Sequence, residues 1–148
     1  MKVIRWLATA TLLLTLSLPA WGGGRLPKVQ VIPREDVPVM ITVTALYPSP
    51  DPTNLTVPIE VKNTGSQPIT GGAIHLEGVD GNGDPLAGGL EALAFEWKGA
   101  QALAPGRTQA LTAKIPREAA RVDVAVDHVV QADGTVIGGP VATCFGRR

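Results

Sequence analysis

Four oxygen-bearing side chains in the middle of the chain have the spacing of a calcium-binding loop. They occupy the first, third, fifth and twelfth positions of such a loop, where hard oxygen ligands surround the cation; they are Asp80, Asn82, Asp84 and Glu91. The sixth position, which requires glycine, is Pro85. A hairpin turn that uses Asp, Asn and Gly to reverse the chain explains the same residues. The sequence favours the turn, and a weak calcium site at these four residues is the alternative hypothesis.

The other reactive side chains do not form a catalytic pattern. Nucleophilic catalysis needs a Ser, Thr or Cys beside a base that a third group orients. After residue 22 the serines are Ser49 and Ser66, both in turn-like strings without the Gly-x-Ser-x-Gly context of a nucleophile elbow. His75 is predicted on a solvated strand face, and His128 at the rim of the core with a hydrogen-bond partner. We therefore predict that the protein is not an enzyme and, calcium apart, has no cofactor.

Residues 1–22 have the three parts of a secretory signal peptide. A short basic start precedes an apolar run from Trp6 to Leu18, and the small residues Ala20 and Gly22 stand at the −3 and −1 positions of a cleavage site. The run is shorter than the roughly 20 apolar residues that span a bilayer, and an uncleaved membrane anchor is the alternative. We predict an extracytoplasmic location (periplasm, cell surface or medium) and no membrane association after cleavage.

Composition narrows the class of protein further. The 148 residues carry a formal net charge of zero and only 4% aromatic residues, which argues against binding to nucleic acid. The chain is 45% hydrophobic and 18% charged, a balance typical of one globular domain. Cys144 is its only cysteine, so an internal disulfide is ruled out. A buried thiol and an intermolecular bridge both remain open.

From residue 39 onward, apolar and polar residues alternate with the period of β-strands. The clearest run has four apolar residues on one face: Leu55, Val57, Ile59 and Val61. Pro58 in this run lacks an N–H and predicts an edge strand or a bulge. Phe95 and Trp97, at strand spacing, are predicted in the core. We expect residues 39–148 to form a β-sandwich of seven to eight strands, after a leader, residues 23–38, that could add one edge strand.

The chain resembles bacterial immunoglobulin-like domains of the FxLYD and cell-adhesion-related types. The matching strings are Val61–Gly65, Ile74–Asp80 with Gly83, Leu103–Gly106 and Val122–Asp127. The Phe-x-Leu-Tyr-Asp string itself is replaced here by Ile-His-Leu-Glu-Gly from residue 74. The resemblance covers residues 39–137 and implies an immunoglobulin-like antiparallel sandwich. It also implies an exported accessory or adhesion module without shared catalytic residues.

These observations together predict a non-catalytic interaction or structural module of the bacterial envelope or extracellular space. Its partner is expected to be another envelope or extracellular protein, bound through the sandwich surface, the loops or an edge strand. The alternative is a module that binds a small ligand, calcium or a glycan, through the loop at residues 80–91 or an exposed Trp97.

Overall fold

The computed structural model describes residues 25–139. The predicted signal peptide and Cys144 therefore lie outside the described residues. Nearly all of the regular structure in this range is extended: β1 Lys28–Val31, β2 Val39–Val43, β3 Tyr47–Pro48, β4 Asn54–Asn63, β5 Ile69–Val79, β6 Pro85–Glu96, β7 Thr108–Pro116, β8 Arg121–Gln131 and β9 Val136–Gly138. One short 3-10 turn, Gly99–Gln101, joins β6 to β7. Within residues 25–139 no helix is both long and apolar enough to span a membrane.

The strands form two sheets, and the predicted all-β sandwich is confirmed. In the front sheet, β8 lies between β5 and an edge shared by β1 and β9, and β6 completes the order beyond β5. In the back sheet, β4 lies between β7 and an edge shared by β2 and β3. The described residues form nine strands rather than the predicted seven to eight, because two short strands share one edge of each sheet. The β1–β8 pair is parallel, which the antiparallel prediction did not include.

The core lies between the two sheets and consists of the predicted alternating residues. In β4, Val57 and Ile59 are fully buried, and they face the front sheet, where Ile74, Leu76 and Val124 are also fully buried. Burying one such side chain contributes about 1.5–3 kcal/mol. Since the described strands place these residues in one contiguous cluster, the packing of the two sheets holds the fold.

Pro58 lies in a central strand, so the prediction of an edge strand at this proline is wrong. On one side of β4 it pairs with Thr112 of β7. On the other side, β2 ends at Val43 and β3 begins at Tyr47, and the N–H of Thr44 donates to the Pro58 carbonyl at 3.4 Å. Proline therefore stands where the neighbouring edge is interrupted, and its missing N–H leaves no ladder partner unpaired.

The predicted leader, residues 23–38, contains residues that belong to the sandwich. Strand β1 pairs with β8 from Lys28↔Arg121 to Val31↔Val124, where the sequence suggested an added edge strand. Val37 is buried in the core cluster. The segment before β2 therefore connects an edge of the front sheet to the back sheet, with Val37 in the core, and is part of the domain.

Candidate functional site

Strand β8 carries a β-bulge at Asp127. Strand β5 pairs Ala73 with His128 but Ile74 with Val126, so Asp127 is an extra residue. A bulge bends its strand and re-aims the side chains beyond it. After the bulge the fully buried residue is Val129, and His128 does not continue the buried face of the preceding valines. The His128 side chain is instead one-third exposed on the outer face of the front sheet.

The predicted hydrogen-bond partner of His128 is its neighbour in the bulge. Nδ1 of His128 lies 2.6 Å from Oδ2 of Asp127. Because an ionised carboxylate only accepts hydrogen bonds, Nδ1 carries the proton. In the neutral ring the lone pair is then on Nε2. The neutral His128 ring consequently presents one oriented hydrogen-bond acceptor to the surface.

Arg34, which the sequence did not single out, holds the bulge in place. Its Nη1 donates to the carbonyl oxygens of Val126 at 3.2 Å, Asp127 at 2.9 Å and Gly139 at 2.9 Å. Its Nε donates to Asp36 at 3.0 Å, and this hydrogen bond holds the pKa of Asp36 below its ordinary value. The planar guanidinium can satisfy several carbonyls at once. It thereby fixes the main chain that orients His128.

Two glycines of β5 bring the neighbouring strands unusually close to this bulge. A Cβ on Gly72 would stand 2.4 Å from the His128 carbonyl oxygen and 2.8 Å from Cζ of Phe95. A Cβ on Gly71 would stand 3.0 Å from the Phe95 carbonyl oxygen. The sequence showed these residues only as a Gly-Gly pair inside a strand, a pattern that marks a close backbone approach. They set how closely the His128 backbone approaches β5. Because they have no side chains, the surface beside the His128 ring is formed there by backbone.

The surface at these two glycines is part of an open groove of about 790 Å³, here called the bulge groove. Its lining residues are Thr70, Gly71, Gly72, Ala94, Phe95, Glu96, Trp97, Lys98, Gly99, His128 and Val130. The Phe95 and Trp97 rings pack against each other with centroids 4.6 Å apart, and Trp97 is only 8% exposed. The predicted place of Trp97 in the core is confirmed, whereas Phe95 is partly buried and packs against the core cluster. Little of the Trp97 ring is left to face a sugar.

The groups that face the bulge groove suit hydrogen bonding. In the neutral ring, Nε2 of His128 is an acceptor, and the exposed Glu96 and Lys98 form a surface ion pair of 3.3 Å at the rim. The groove's one lining hydroxyl, on Thr70, donates to the Val130 carbonyl at 3.2 Å. The groove therefore offers a bound molecule an oriented acceptor on His128, a negative and a positive side chain at its rim, and exposed backbone at the two glycines.

The residues of the calcium hypothesis lie elsewhere. Asp80, Asn82 and Asp84 form the turn between β5 and β6, and Oδ1 of Asp80 accepts the N–H groups of Asn82 at 2.8 Å and Asp84 at 3.0 Å. These bonds, that from Asp84 foremost, lower the pKa of Asp80. Glu91 lies in β6 and accepts the N–H of Lys114 in β7 at 2.8 Å. Among residues 25–139 no three His, Cys, Asp or Glu side chains are grouped to hold a metal. Calcium binding remains a prediction.

Replacing Asp80 with alanine tests the two interpretations of this turn. We expect a small fall in the urea midpoint at pH 7 that millimolar calcium does not alter, because the carboxylate serves the turn. The pKa of Asp80 is lowered in the folded protein, so its stabilisation is present above the ordinary Asp pKa and is lost as the pH falls through the lowered value. Wild type and variant should therefore converge in acid. Calcium-dependent stabilisation of the wild type alone would instead support the calcium site.

Replacing Arg34 with methionine should loosen the bulge. Methionine keeps the apolar stem but leaves the carbonyls of Val126, Asp127 and Gly139 without the guanidinium, and we expect a loss of about 2 kcal/mol in the free energy of unfolding. Lysine, a point charge without the planar fork, should restore only part of it. The matched control is Arg25→Met, since Arg25 is exposed. Equal urea midpoints for Arg34→Met and Arg25→Met would show that the hydrogen bonds of Arg34 to the three carbonyls do not stabilise the fold.

Comparison with known proteins gives remote likenesses only. No protein-family model matches the chain, and no curated protein matches it. The crystal structure described as the ApaA protein from Bordetella pertussis is 19% identical, covering 70% of this chain and 97% of its own, with a TM-score of 0.40. The X-ray structure of the Northeast Structural Genomics Consortium target SoR45 is 16% identical, covering 69% of this chain and 80% of its own, with a TM-score of 0.39. Likenesses at this level assign neither a family nor an activity to the chain.

Proposed function

We propose that the protein is an exported, non-catalytic interaction module that binds another envelope or extracellular protein through the bulge groove. The observation that carries the proposal is the orientation of His128. Asp127 fixes its ring and Arg34 fixes its backbone, although a partly exposed side chain gains little for the fold by being ordered. Polar groups held in position before binding lower the cost of association.

The shape of the groove supports a polypeptide partner. Gly71 and Gly72 line the groove beside the oriented acceptor and present backbone rather than side chains there. An N–H of an extended partner segment can donate to Nε2 of His128, while Glu96 and Lys98 supply the polar rim that protein interfaces commonly have. The signal-like residues 1–22 support an extracytoplasmic partner.

Site-specific photo-crosslinking in the native envelope tests this proposal. A photoreactive side chain replaces Ala94, an exposed residue that lines the groove. The matched control replaces Ala110, an exposed alanine of β7 in the back sheet. We expect one cross-linked protein from position 94, none from position 110, and loss of the adduct when His128→Ala is added.

The controls separate specific binding from chance contact. The melting temperature of His128→Ala must match that of the wild type, so that loss of the adduct reports on the groove. Equal cross-linking from positions 94 and 110, or an adduct that survives His128→Ala, would refute binding through the bulge groove.

A further inference from the structure

Strand β6 ends the front sheet, and one of its edges is unpaired. It has 12 residues and pairs with β5 alone. The N–H of Trp97 donates to the Thr70 carbonyl of β5 at 2.6 Å. Since N–H groups along an antiparallel strand alternate in direction, and the register with β5 is regular over residues 90–96, the N–H and carbonyl groups of residues 90, 92, 94 and 96 point away from the sheet. Within residues 25–139 they have no backbone partner.

The other terminal strands of the described residues are short or protected. Strands β1 and β9 have 4 and 3 residues, and β2 and β3 have 5 and 2. Strand β7 is longer, with 9 residues, but the Glu91 carboxylate accepts the N–H of Lys114 in it. Proteins commonly protect terminal strands by shortness or by charged side chains. Among the described strands, β6 is the long terminal strand that lacks such protection.

The side chains along this edge suit contact with another strand. Leu90 is 60% exposed, and Ala92 and Ala94 are small and exposed. The two carboxylates of the segment are engaged within the chain, that of Glu91 with β7 and that of Glu96 with Lys98. A strand laid beside residues 90–96 would therefore meet apolar side chains and open hydrogen-bonding groups without facing an unpaired charge. Cross-strand apolar pairs of this kind stabilise a sheet.

The open edge of β6 is continuous with the bulge groove. Ala94, Phe95 and Glu96 belong to β6 and also line the groove. An extended segment that leaves the groove past Ala94 consequently arrives at the main-chain groups of residues 90–94. One partner segment can occupy both places.

We propose that the partner bound in the bulge groove also adds a strand to β6, along residues 90–96. This inference rests on the proposed function and specifies its partner: a protein with an extended segment of small or apolar, uncharged residues. In strand addition the main-chain hydrogen bonds give affinity, and alternate side chains give specificity. Leu90, Ala92 and Ala94 are the residues of this chain that read those side chains.

Proline at position 92 tests the added strand in the photo-crosslinking experiment from position 94. The N–H that it removes points away from β5, so the front sheet keeps its own hydrogen bonds, and proline is tolerated at such edge positions. The matched control is Ala110→Pro, since Ala110 is exposed in β7 and its N–H points away from β4, as that of Lys114 does. We expect about tenfold less adduct in Ala92→Pro and an unchanged amount in Ala110→Pro.

A second variant makes the test independent of how β6 accommodates proline. Leu90→Lys places on the edge the kind of charge that protects natural terminal strands from pairing. Its matched control is Leu26→Lys, because Leu26 is 55% exposed and lies outside β6. We expect the adduct from position 94 to fall about tenfold in Leu90→Lys and to persist in Leu26→Lys.

The outcomes separate this inference from the proposed function. An adduct that His128→Ala abolishes but that Ala92→Pro and Leu90→Lys leave intact shows that the partner fills the groove without pairing to β6, which overturns the added strand alone. An adduct of twice the mass of the chain places a second copy at the edge and overturns it too. Absence of any adduct in the wild type overturns both. If far-ultraviolet circular dichroism shows Ala92→Pro to be unfolded, Leu90→Lys decides.

Discussion

Alanine at position 72 is expected to lower the free energy of unfolding by about 4 kcal/mol. The added Cβ would lie 2.4 Å from the carbonyl oxygen of His128 and 3.1 Å from Cα of Val129. Both atoms belong to the backbone of β8, which β5 and β9 hold from two sides. No side-chain rotation relieves the contact, so strands β5 and β8 must separate. We also expect the orientation of His128 to be lost with the bulge.

The measurement is a pair of urea unfolding curves, with Gly81→Ala as the matched control. Gly81 lies in the turn between β5 and β6, and a Cβ there meets nothing within 4 Å. Alanine at 81 should change the free energy of unfolding by less than about 0.5 kcal/mol. If alanine at 72 were as mild as alanine at 81, the close approach of β5 and β8 would not be a property of the protein.

Leucine in place of Asn63 is expected to destabilise the protein by about 3 kcal/mol. The Asn63 side chain is fully buried. Its Nδ2 donates to the carbonyls of Gln67 at 2.8 Å and Leu103 at 2.9 Å, and its Oδ1 accepts the N–H of Gly65 at 2.9 Å. Leucine has a similar volume but removes all three bonds. The Leu103 carbonyl keeps the N–H of Ile69, whereas the Gln67 carbonyl and the Gly65 N–H lose the partner that Asn63 gave them, and unpaired buried groups are costly.

The aspartate variant at position 63 makes the argument specific. Its carboxylate would still accept the N–H of Gly65, but an ionised carboxylate cannot donate to the two carbonyls, so we expect Asn63→Asp to be as destabilised as Asn63→Leu at pH 7. The control is Asn82→Leu in the exposed β5–β6 turn, which should change the thermal midpoint little. A mild Asn63→Leu would mean that water or local rearrangement replaces all three bonds.

The strands and their buried faces were predictable because one pattern governs them. Alternation of apolar and polar residues placed Val57, Ile59 and Val124 in the core, where they are fully buried. The apolar–polar alternation also breaks at Gly78 and Val79, a local signal of a bulge, and the β5–β6 register shifts between Glu77 and Val79. The reversal after Asp80 is present as well, with the Gly83 N–H donating to the Asp80 carbonyl at 3.1 Å. Each of these signals is local in sequence.

The bulge groove was not predictable because its parts meet only through pairing between distant segments. Arg34 lies 92 residues before Val126, whose carbonyl it binds, and no spacing in the sequence joins them. The bulge at Asp127 also reverses which residues of β8 face inward, so alternation assigned His128 to the wrong face. Asn63 similarly stands in the sequence beside the turn-forming residues Thr64 to Pro68, and nothing local shows that it links two turns that are 40 residues apart.

The contact between Glu91 and Lys114 has a consequence for how copies of this protein behave together. Strands β6 and β7 end their sheets on the same side of the molecule, and exposed N–H groups of a terminal strand invite a neighbouring molecule to add its own strand. The Glu91 carboxylate occupies the Lys114 N–H from within the chain. A side chain of the front sheet thus makes the Lys114 N–H of the back sheet unavailable to a strand of a second molecule, which disfavours edge-to-edge aggregation at this position.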